Sequence, residues 1–166
     1  MATLEKITPC LWFDANAAEA VNFYVSVFKN SKIGRVTYYT KAVRNKHKMP
    51  EGTVMTIEFY IDGREYIALN GGPAFKFNET VSLIIHCATQ EEIDFYWDTL
   101  SAGGDPAAQQ CGWLKDKYGL SWQIIPTALA HMVSDARTDK AERVMKAMQQ
   151  MKKPDIKALQ QSYNAV

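Results

Sequence analysis

The chain has few cysteines, and none of them stands in a disulfide or zinc-binding pattern. Cys10, Cys87 and Cys111 are odd in number, widely separated and without C-x-x-C spacing. We therefore expect neither a disulfide framework nor a structural zinc site. Free cysteines are typical of a reducing compartment, which favours the cytoplasm.

Long apolar runs and an excess of one charge are also missing. No window reaches the roughly 20 apolar residues of a membrane span, and the first residues lack the apolar core of a signal peptide. Lys and Arg number 19 against 18 Asp and Glu, and the densest basic stretch, 44–48, is short. A nucleic-acid site usually carries a clear basic excess. We therefore expect a soluble cytoplasmic protein with neither a membrane nor a nucleic-acid partner.

What the chain does contain is an internal repeat. Segments 12–24 and 84–96 both end an apolar run and then carry Glu, a branched residue and Phe-Tyr at the same spacing. Such a repeat indicates one structural unit used twice. The 166 residues suit one duplicated domain at 1–126, followed by a helical tail at 127–166. The two modules are expected at about 5–72 and 79–126.

Hydrophobic periodicity predicts a strand, a helix and three further strands in each module. Asp62-Gly63 predicts a tight hairpin. Asn16 with Glu19 has the spacing of a capping box, as has Thr89 with Glu92. The predicted strands are 7–13, 33–40, 54–61, 65–70, 81–87, 106–110, 111–116 and 120–125, and the predicted helices are 16–28 and 89–100.

Two segments fall outside the repeat. The loop 41–53 is present only in the first module and is a candidate lid, although surface padding accounts for it equally well. In the tail, Ser134 or Asp135 can cap a helix with a Met-rich apolar stripe, and Pro154 opens a last helix in its first turn. We interpret the stripe as packing that covers apolar surface, within the chain or in a dimer.

Several motifs resemble the PhnB-like branch of the vicinal oxygen chelate superfamily of glyoxalases, bleomycin-resistance proteins and extradiol dioxygenases. The resemblance implies an α+β fold, in which two βαβββ modules form a curved half-barrel sheet with a C-terminal helical appendage. It also implies a cleft inside the sheet and commonly a homodimer. Proteins of this branch often carry the name demethylubiquinone 3-methyltransferase. The motifs are Leu11-Trp12-Phe13-Asp14, Phe23-Tyr24, Ala68 to Pro73, Phe75 to Glu79, Cys111 to Asp116 and Ser121 to Pro126.

Strand alternation sorts the side chains between the helix and the cleft of such a fold. Met55, Ile57 and Phe59 are expected under the first helix, and Leu120, Trp122 and Ile124 under the second. The cleft is then expected to be largely apolar. Its predicted lining is Pro9, Leu11, Phe13, Thr56, Glu58, Tyr60, Val81, Leu83, Ile85, Ser121, Gln123 and Ile125.

The residues give little support to a metal site. The positions that hold ligands in metal-using members fall at Pro9, about Ile67, Val81 and Gln123, of which only Gln123 has a donor atom. One neutral amide does not hold a divalent transition metal. The histidines have no ligand-like spacing, and His86 is predicted to point toward the helix. We therefore expect no metal and no cofactor. The other two histidines are His47 and His131.

Three classes of function remain open. The first is a metal-independent protein of the bleomycin-resistance type that binds a small organic ligand in its apolar cleft. The second is an enzyme, either the methyltransferase of the family name or a lyase or isomerase with Glu58 as the base. The third is a dimeric scaffold. Asn70-Gly71-Gly72-Pro73 is interpreted as a turn, which gives a methyl-donor site little support. The predicted ligand-binding residues are Phe13, Tyr60, Trp113, Ser121 and Gln123.

Overall fold

The protein folds into two compact units, Met1–Lys76 and Phe77–Val166. The structure is a computed structural model and describes residues 6–41, 49–134 and 139–165. Each unit combines one mixed sheet with helices, and the α+β fold expected from the sequence is confirmed. The basic stretch, His47 and most of the candidate lid lie outside the described residues, as does Asp135.

The first unit has the predicted order of strand, helix and three strands. Its sheet has the strand order β1-β4-β3-β2, with β1 parallel to β4 and the other pairs antiparallel. The elements are β1 (Cys10–Phe13), α1 (Ala17–Val27), β2 (Lys32–Tyr38), β3 (Val54–Ile61) and β4 (Arg64–Asn70).

The hairpin between β3 and β4 forms at the predicted dipeptide. Asp62 has φ 48° and Gly63 has φ 75°. Two successive positive φ values are those of a type I′ turn, whose twist matches that of the flanking strands. The turn sets the register, so that Ile61 pairs with Arg64 and each later pair on the two strands follows.

The second unit repeats this order with one difference. Its sheet has the order β5-β7-β6, with β5 parallel to β7. The strand predicted over 106–110 is wrong: Pro106–Ala108 is a 3₁₀ helix, and only Gln110 forms an isolated bridge. Pro106 has no N–H to donate, and the Asp105 carboxylate accepts a hydrogen bond from the Ala107 amide at 2.9 Å; both favour a turn. The elements are β5 (Ser82–Cys87), α2 (Gln90–Ser101), β6 (Trp113–Lys115) and β7 (Ser121–Pro126).

The two long helices of the repeat are capped in different ways. Thr89 caps α2 as predicted, its hydroxyl accepting from the Glu92 amide at 3.3 Å. The cap predicted for α1 is wrong, because Asn16 makes no side-chain capping bond. Instead Asn70, at the end of β4, accepts from the Ala17 amide at 2.9 Å. The first helix is therefore held by a residue of its own sheet.

Each helix covers one face of its sheet. Tyr24 of α1 stacks on Phe59, with ring centroids 6.4 Å apart, and Phe59 in turn stacks on Tyr66 at 5.5 Å. In the second unit Trp122 and Ile124 are buried on the side of α2. The predicted helix-facing positions of β3 and β7 are thereby confirmed. We call the opposite side of each sheet its open face.

The tail packs onto the second unit through an apolar cluster. Its helices are α3 (Thr127–Met132), α4 (Asp139–Gln150) and α5 (Ile156–Asn164). The carbonyls of Met151 and Lys152 accept hydrogen bonds from the amides of Cys111 and Gly112, at 2.7 and 2.9 Å. Pro154 precedes α5 rather than lying in its first turn. None of the helices in the described ranges is long and apolar enough to span a membrane. The cluster contains Met132, Val144, Met148 and Leu159.

Candidate functional site

The register of β1 overturns one predicted set of cleft residues. Leu11 pairs with Ala68 and Phe13 with Asn70. Partners in register point to the same side of a sheet, and Asn70 caps α1 from that side. Leu11 and Phe13 are accordingly buried, at 6% and 3% exposure. Phe13, predicted to contact a ligand, belongs instead to the core under α1.

The same correction applies to the first strand of the second unit. Leu83 pairs with Trp122 and Ile85 with Ile124, so both lie on the side of α2. Conversely His86, predicted to point toward the helix, lies on the open face. When a strand is apolar on both faces, its sequence alone does not show which residues point to which side of the sheet. An error of one residue in that assignment moves every side chain of the strand to the other side.

The open face of the first sheet has its polar groups paired with one another. Both Nε and Nη2 of Arg35 donate to Oε1 of Glu58, with Nε at 2.9 Å. The hydrogen bond and the charge of Glu58 raise the pKa of the Arg35 guanidinium. The hydroxyl groups of Thr37 and Thr56 lie 2.5 Å apart. Glu58, the candidate base, is therefore held in an ion pair.

Tyr60, another predicted ligand contact, also has a partner on this face. The ammonium group of Lys32 lies 4.9 Å from the centre of its ring. The ring borders an open groove of about 650 Å³ that Pro9 and Ile7 also line. The remaining walls are the hairpin residues 62–65, which bring charge of both signs to its rim.

The open face of the second sheet consists of side chains in register across three strands. In the first row Ser82 pairs with Ser121, and Ser121 pairs with Lys115; we call these three residues the polar row. In the next row, toward the end of β7, Gln123 lies between Ile84 and Trp113. The third row holds His86 and Ile125, and Ile125 packs against the apolar cluster of the tail.

Ser121 carries an unusual hydrogen-bonding deficit. Its side chain is 1% exposed, and its hydroxyl group has no hydrogen-bond partner within the described part of the chain. Its neighbour Gln123 donates from Nε2 to the Ser82 hydroxyl at 2.8 Å. Lys115 forms an ion pair with Glu79, which precedes β5. Ser121, Gln123 and Trp113, all predicted as ligand-binding residues, thus lie together.

The hairpin that carries Ser121 is held by a buried residue that the sequence analysis did not single out. Oδ1 of Asp116 accepts from the amides of Tyr118 and Leu120 at 2.9 and 3.0 Å. Its Oδ2 accepts from Nε1 of Trp122 at 2.8 Å. An Asp two residues before Tyr-Gly is a turn signal that allows the first of these bonds to be expected. The contact with Trp122 has no such local signal.

The cysteines lack the features of a catalytic nucleophile. Burial, followed by the charge of Glu92, raises the pKa of Cys87 to about 11. Burial also raises the pKa of Cys10 and of Cys111. A raised pKa keeps a thiol protonated at neutral pH, whereas nucleophilic attack requires the thiolate. The thiols of these three residues therefore lack the activation that a nucleophile needs.

The side chains on the open faces do not fit the metal site of the superfamily. The registers place Cys10, rather than Pro9, beside Ile67, and Ile84, rather than Val81, beside Gln123. Each unit then offers one donor at these positions, a thiol in the first and an amide in the second, and one donor is too few for a divalent transition metal. Across the described ranges, no group of three or more His, Cys, Asp or Glu side chains is placed to hold a metal ion.

The glycine pair after β4 forms a turn, as interpreted from the sequence. The amides of Gly71 and Gly72 donate to the carbonyls of Phe13 and Asp14, at 2.9 and 3.0 Å. The indole N–H of Trp12 donates to the Gly72 carbonyl at 2.8 Å. A Cβ atom on Gly71 would lie 2.2 Å from the Trp12 ring. The turn amides are engaged within the protein and offer no cradle for a phosphate or a methyl donor.

The fold and the paired strands define the class of protein. Two strand-helix units, in which the first strand runs parallel to the last, are those of the vicinal oxygen chelate superfamily, to which the chain belongs. Within it, the family model described as 3-demethylubiquinone-9 3-methyltransferase matches residues 5–125, and the chain belongs to this PhnB-like family. The methyltransferase wording is the name of the family and does not establish an activity.

The chain is similar to several solved structures. The PhnB protein from Bacillus cereus, whose description carries the same family name, shares 34% identity over 74% of this chain and 100% of its own, with a TM-score of 0.62. Protein PA1353 from Pseudomonas aeruginosa is 18% identical over 75% of this chain and 98% of its own, with a TM-score of 0.54, and shows the fold alone. The fosfomycin resistance protein FosX from Listeria monocytogenes is 15% identical over 76% of this chain and 93% of its own, at a TM-score of 0.45. No curated protein matches the chain.

Proposed function

We propose that this protein binds a small organic molecule on the open face of its second sheet, without the help of a metal ion. The observation that carries the proposal is the buried, unpartnered hydroxyl of Ser121. Trp113 supplies a flat apolar surface in the neighbouring row, and Gln123 supplies an amide between them. Apolar surface combined with a few directed polar groups is typical of ligand sites.

The energetics of Ser121 favour a ligand over a purely structural role. A buried polar group without a partner costs about 1–3 kcal/mol of stability. Such deficits are rare in folded proteins, and each requires an explanation such as a ligand, a water molecule or an ion. The neighbouring Gln123 is already engaged, with Nε2 donating to the Ser82 hydroxyl. A ligand with an acceptor group offsets the deficit at Ser121.

The other predicted ligand residues contribute less to the proposal. Phe13 lies in the core under α1, so it is removed from the site. Tyr60 remains at the groove of the first sheet, where Lys32 already covers its ring. A cytoplasmic homodimer belongs to the same proposal; the scattered free cysteines support the compartment, and the family resemblance supports the dimer.

Enzymatic alternatives have weaker support. A lyase or isomerase with Glu58 as the base meets the ion pair with Arg35, whose guanidinium occupies Oε1 of the carboxylate that would have to take the proton. A methyltransferase rests on the family name. The turn at Gly71 and Gly72 gives it no support, because the amides of these two residues, which could bind a cofactor, already donate to the carbonyls of Phe13 and Asp14.

The test is ligand binding to the full chain after treatment with a chelator. A panel of small aromatic compounds is screened by thermal shift, and hits are measured by titration calorimetry. We expect stabilisation without added metal, and a loss of affinity of about tenfold in Gln123→Ala. Stoichiometric binding of a labelled methyl donor would favour the methyltransferase instead. Binding of neither kind would leave a scaffold and overturn the proposal.

A further inference from the structure

We infer that the ligand is a small aromatic monoanion, whose carboxylate binds the polar row while its ring lies against the apolar row of Ile84 and Trp113. This inference rests on the proposed function and specifies the ligand class of the same face. Its basis is the chemistry of the three side chains that the strand registers place side by side, together with the position of the Glu79 carboxylate, which pairs with Lys115.

The polar row is rich in donors. Side chains directly opposite each other on neighbouring strands have Cβ atoms about 5 Å apart, so Ser82 and Lys115 flank Ser121 on its two sides. Ser82 accepts from Gln123 and keeps its own O–H to donate, and the Ser121 hydroxyl has no partner. Two hydroxyl donors beside one ammonium group suit an oxygen-rich anion, because hydrogen bonds to charged groups are the stronger kind.

The charge of Lys115 is balanced by a carboxylate that a ligand can displace. Its partner Glu79 has a side chain that is 60% exposed, against 22% for Lys115. Glu79 lies before β5, outside the sheet, so water can solvate it once the ion pair opens. Exposed ion pairs contribute little free energy. A ligand carboxylate that also accepts a hydrogen bond from Ser121 interacts more favourably with this site than Glu79 does. The ligand therefore replaces Glu79 as the partner of Lys115.

The neighbouring row determines the rest of the ligand. Ile84 is 52% exposed in the middle of its strand, and Trp113 is partly exposed on β6 across from it. Gln123 between them presents a carbonyl oxygen and no charge. An aromatic ring attached directly to the carboxylate spans the distance from one row to the next, since residues two apart on a strand are separated by about 7 Å. One ammonium group selects a single negative charge.

The test compares benzoate with its neutral counterpart benzamide by titration calorimetry on the full chain. We expect benzoate to bind more tightly, and Lys115→Met to reduce the benzoate-to-benzamide affinity ratio about tenfold. Glu79→Gln should raise that ratio about threefold, because the competing carboxylate is lost. Lys146→Met is the matched control, since Lys146 forms an exposed ion pair with Glu142 on α4 and should leave the ratio unchanged.

The outcomes separate this inference from the proposal beneath it. If benzamide and benzoate bind equally and Gln123→Ala weakens both, the site is real but the ligand class is wrong. If neither compound nor any other aromatic binds, the proposed function fails as well. Should Lys115→Met unfold, Glu79→Gln decides alone, because its side chain is exposed: an unchanged ratio overturns the inference, and a raised one supports it.

Discussion

The two open faces of this duplicated protein differ in how they use their hydrogen-bonding groups. On the first sheet, Arg35 is bonded to Glu58 and Thr37 to Thr56. On the second sheet, the hydroxyl of Ser121 stays unpartnered although it is buried. The first face therefore satisfies its polar groups internally, whereas the second keeps capacity for another molecule.

This difference between the two faces indicates which unit of the duplicated fold holds the functional site. Both units begin with a strand and a helix and pair their first strand parallel to their last, so fold alone does not distinguish a working face from a structural one. Unsatisfied polar atoms do distinguish them, because natural proteins rarely leave such atoms buried without a reason. The following experiments test whether the contrast between the two units is real, beginning with the largest effect.

The hairpins of the two units should differ most. Asp116→Ala removes a buried carboxylate that accepts three hydrogen bonds, two from amides and one from Trp122. We expect a loss of about 3 kcal/mol in the free energy of unfolding. Asp62→Gly, at the exposed hairpin of the first unit, should change stability by less than about 0.5 kcal/mol, since its positive φ suits glycine. Urea denaturation measures both, and losses of equal size would contradict the contrast.

The helix caps should give the next largest effect. Asn70 is buried, accepts from the Ala17 amide and donates to the carbonyl of Val54 at 3.0 Å. We expect Asn70→Ala to cost about 2–3 kcal/mol, against about 1 kcal/mol for Thr89→Ala at the other helix. Asn16→Ala is the control, because Asn16 makes no side-chain capping bond. A loss at Asn16 comparable to that at Asn70 would restore the local cap predicted from the sequence.

These two predictions also mark what the sequence allowed to be foreseen. The hairpin at Asp62-Gly63 and the cap at Thr89 are local signals, written within four residues of the structure they produce, and both were predicted correctly. Asn70 was missed as a cap because it reaches α1 only after β4 has paired with β1. Contacts that depend on pairing between distant strands have no characteristic spacing in the sequence, so a sequence pattern does not reveal them.

The candidate site shows the same division. Ser121 and Gln123 were assigned to the open face because β7 alternates against the buried Trp122 and Ile124. Leu11 and Phe13 were placed on the wrong side because β1 carries large apolar residues on both of its faces. Which of the β1 side chains face α1 is decided by the parallel pairing of β1 with β4. The lack of a hydrogen-bond partner for the Ser121 hydroxyl results from how the folded chain packs. The sequence pattern therefore could not predict it.

Removal of one hydroxyl should have opposite effects on the two faces. Ser121→Ala deletes an unpartnered group, so we expect stability to stay level or rise by up to about 1 kcal/mol, while ligand affinity falls. Thr56→Val deletes a hydroxyl bonded to Thr37, so a loss of about 1 kcal/mol is expected. Thermal unfolding with and without ligand measures both. If Ser121→Ala destabilises the protein, a structural partner holds that hydroxyl and the contrast between the faces is lost.

The smallest effect concerns the ion pair at the polar row. The hydrogen bond from Lys115 holds the pKa of Glu79 below its usual value. A lowered pKa means that the pair favours the folded state at neutral pH, and that this contribution fades as pH falls through the lowered pKa. In Lys115→Met the pKa of Glu79 should rise, as measured by NMR titration of its carboxyl carbon. Benzoate should have the same effect on the unmodified chain, since it takes Lys115 from Glu79. A pKa that stays low in the presence of saturating benzoate would mean that the ligand binds elsewhere on the face.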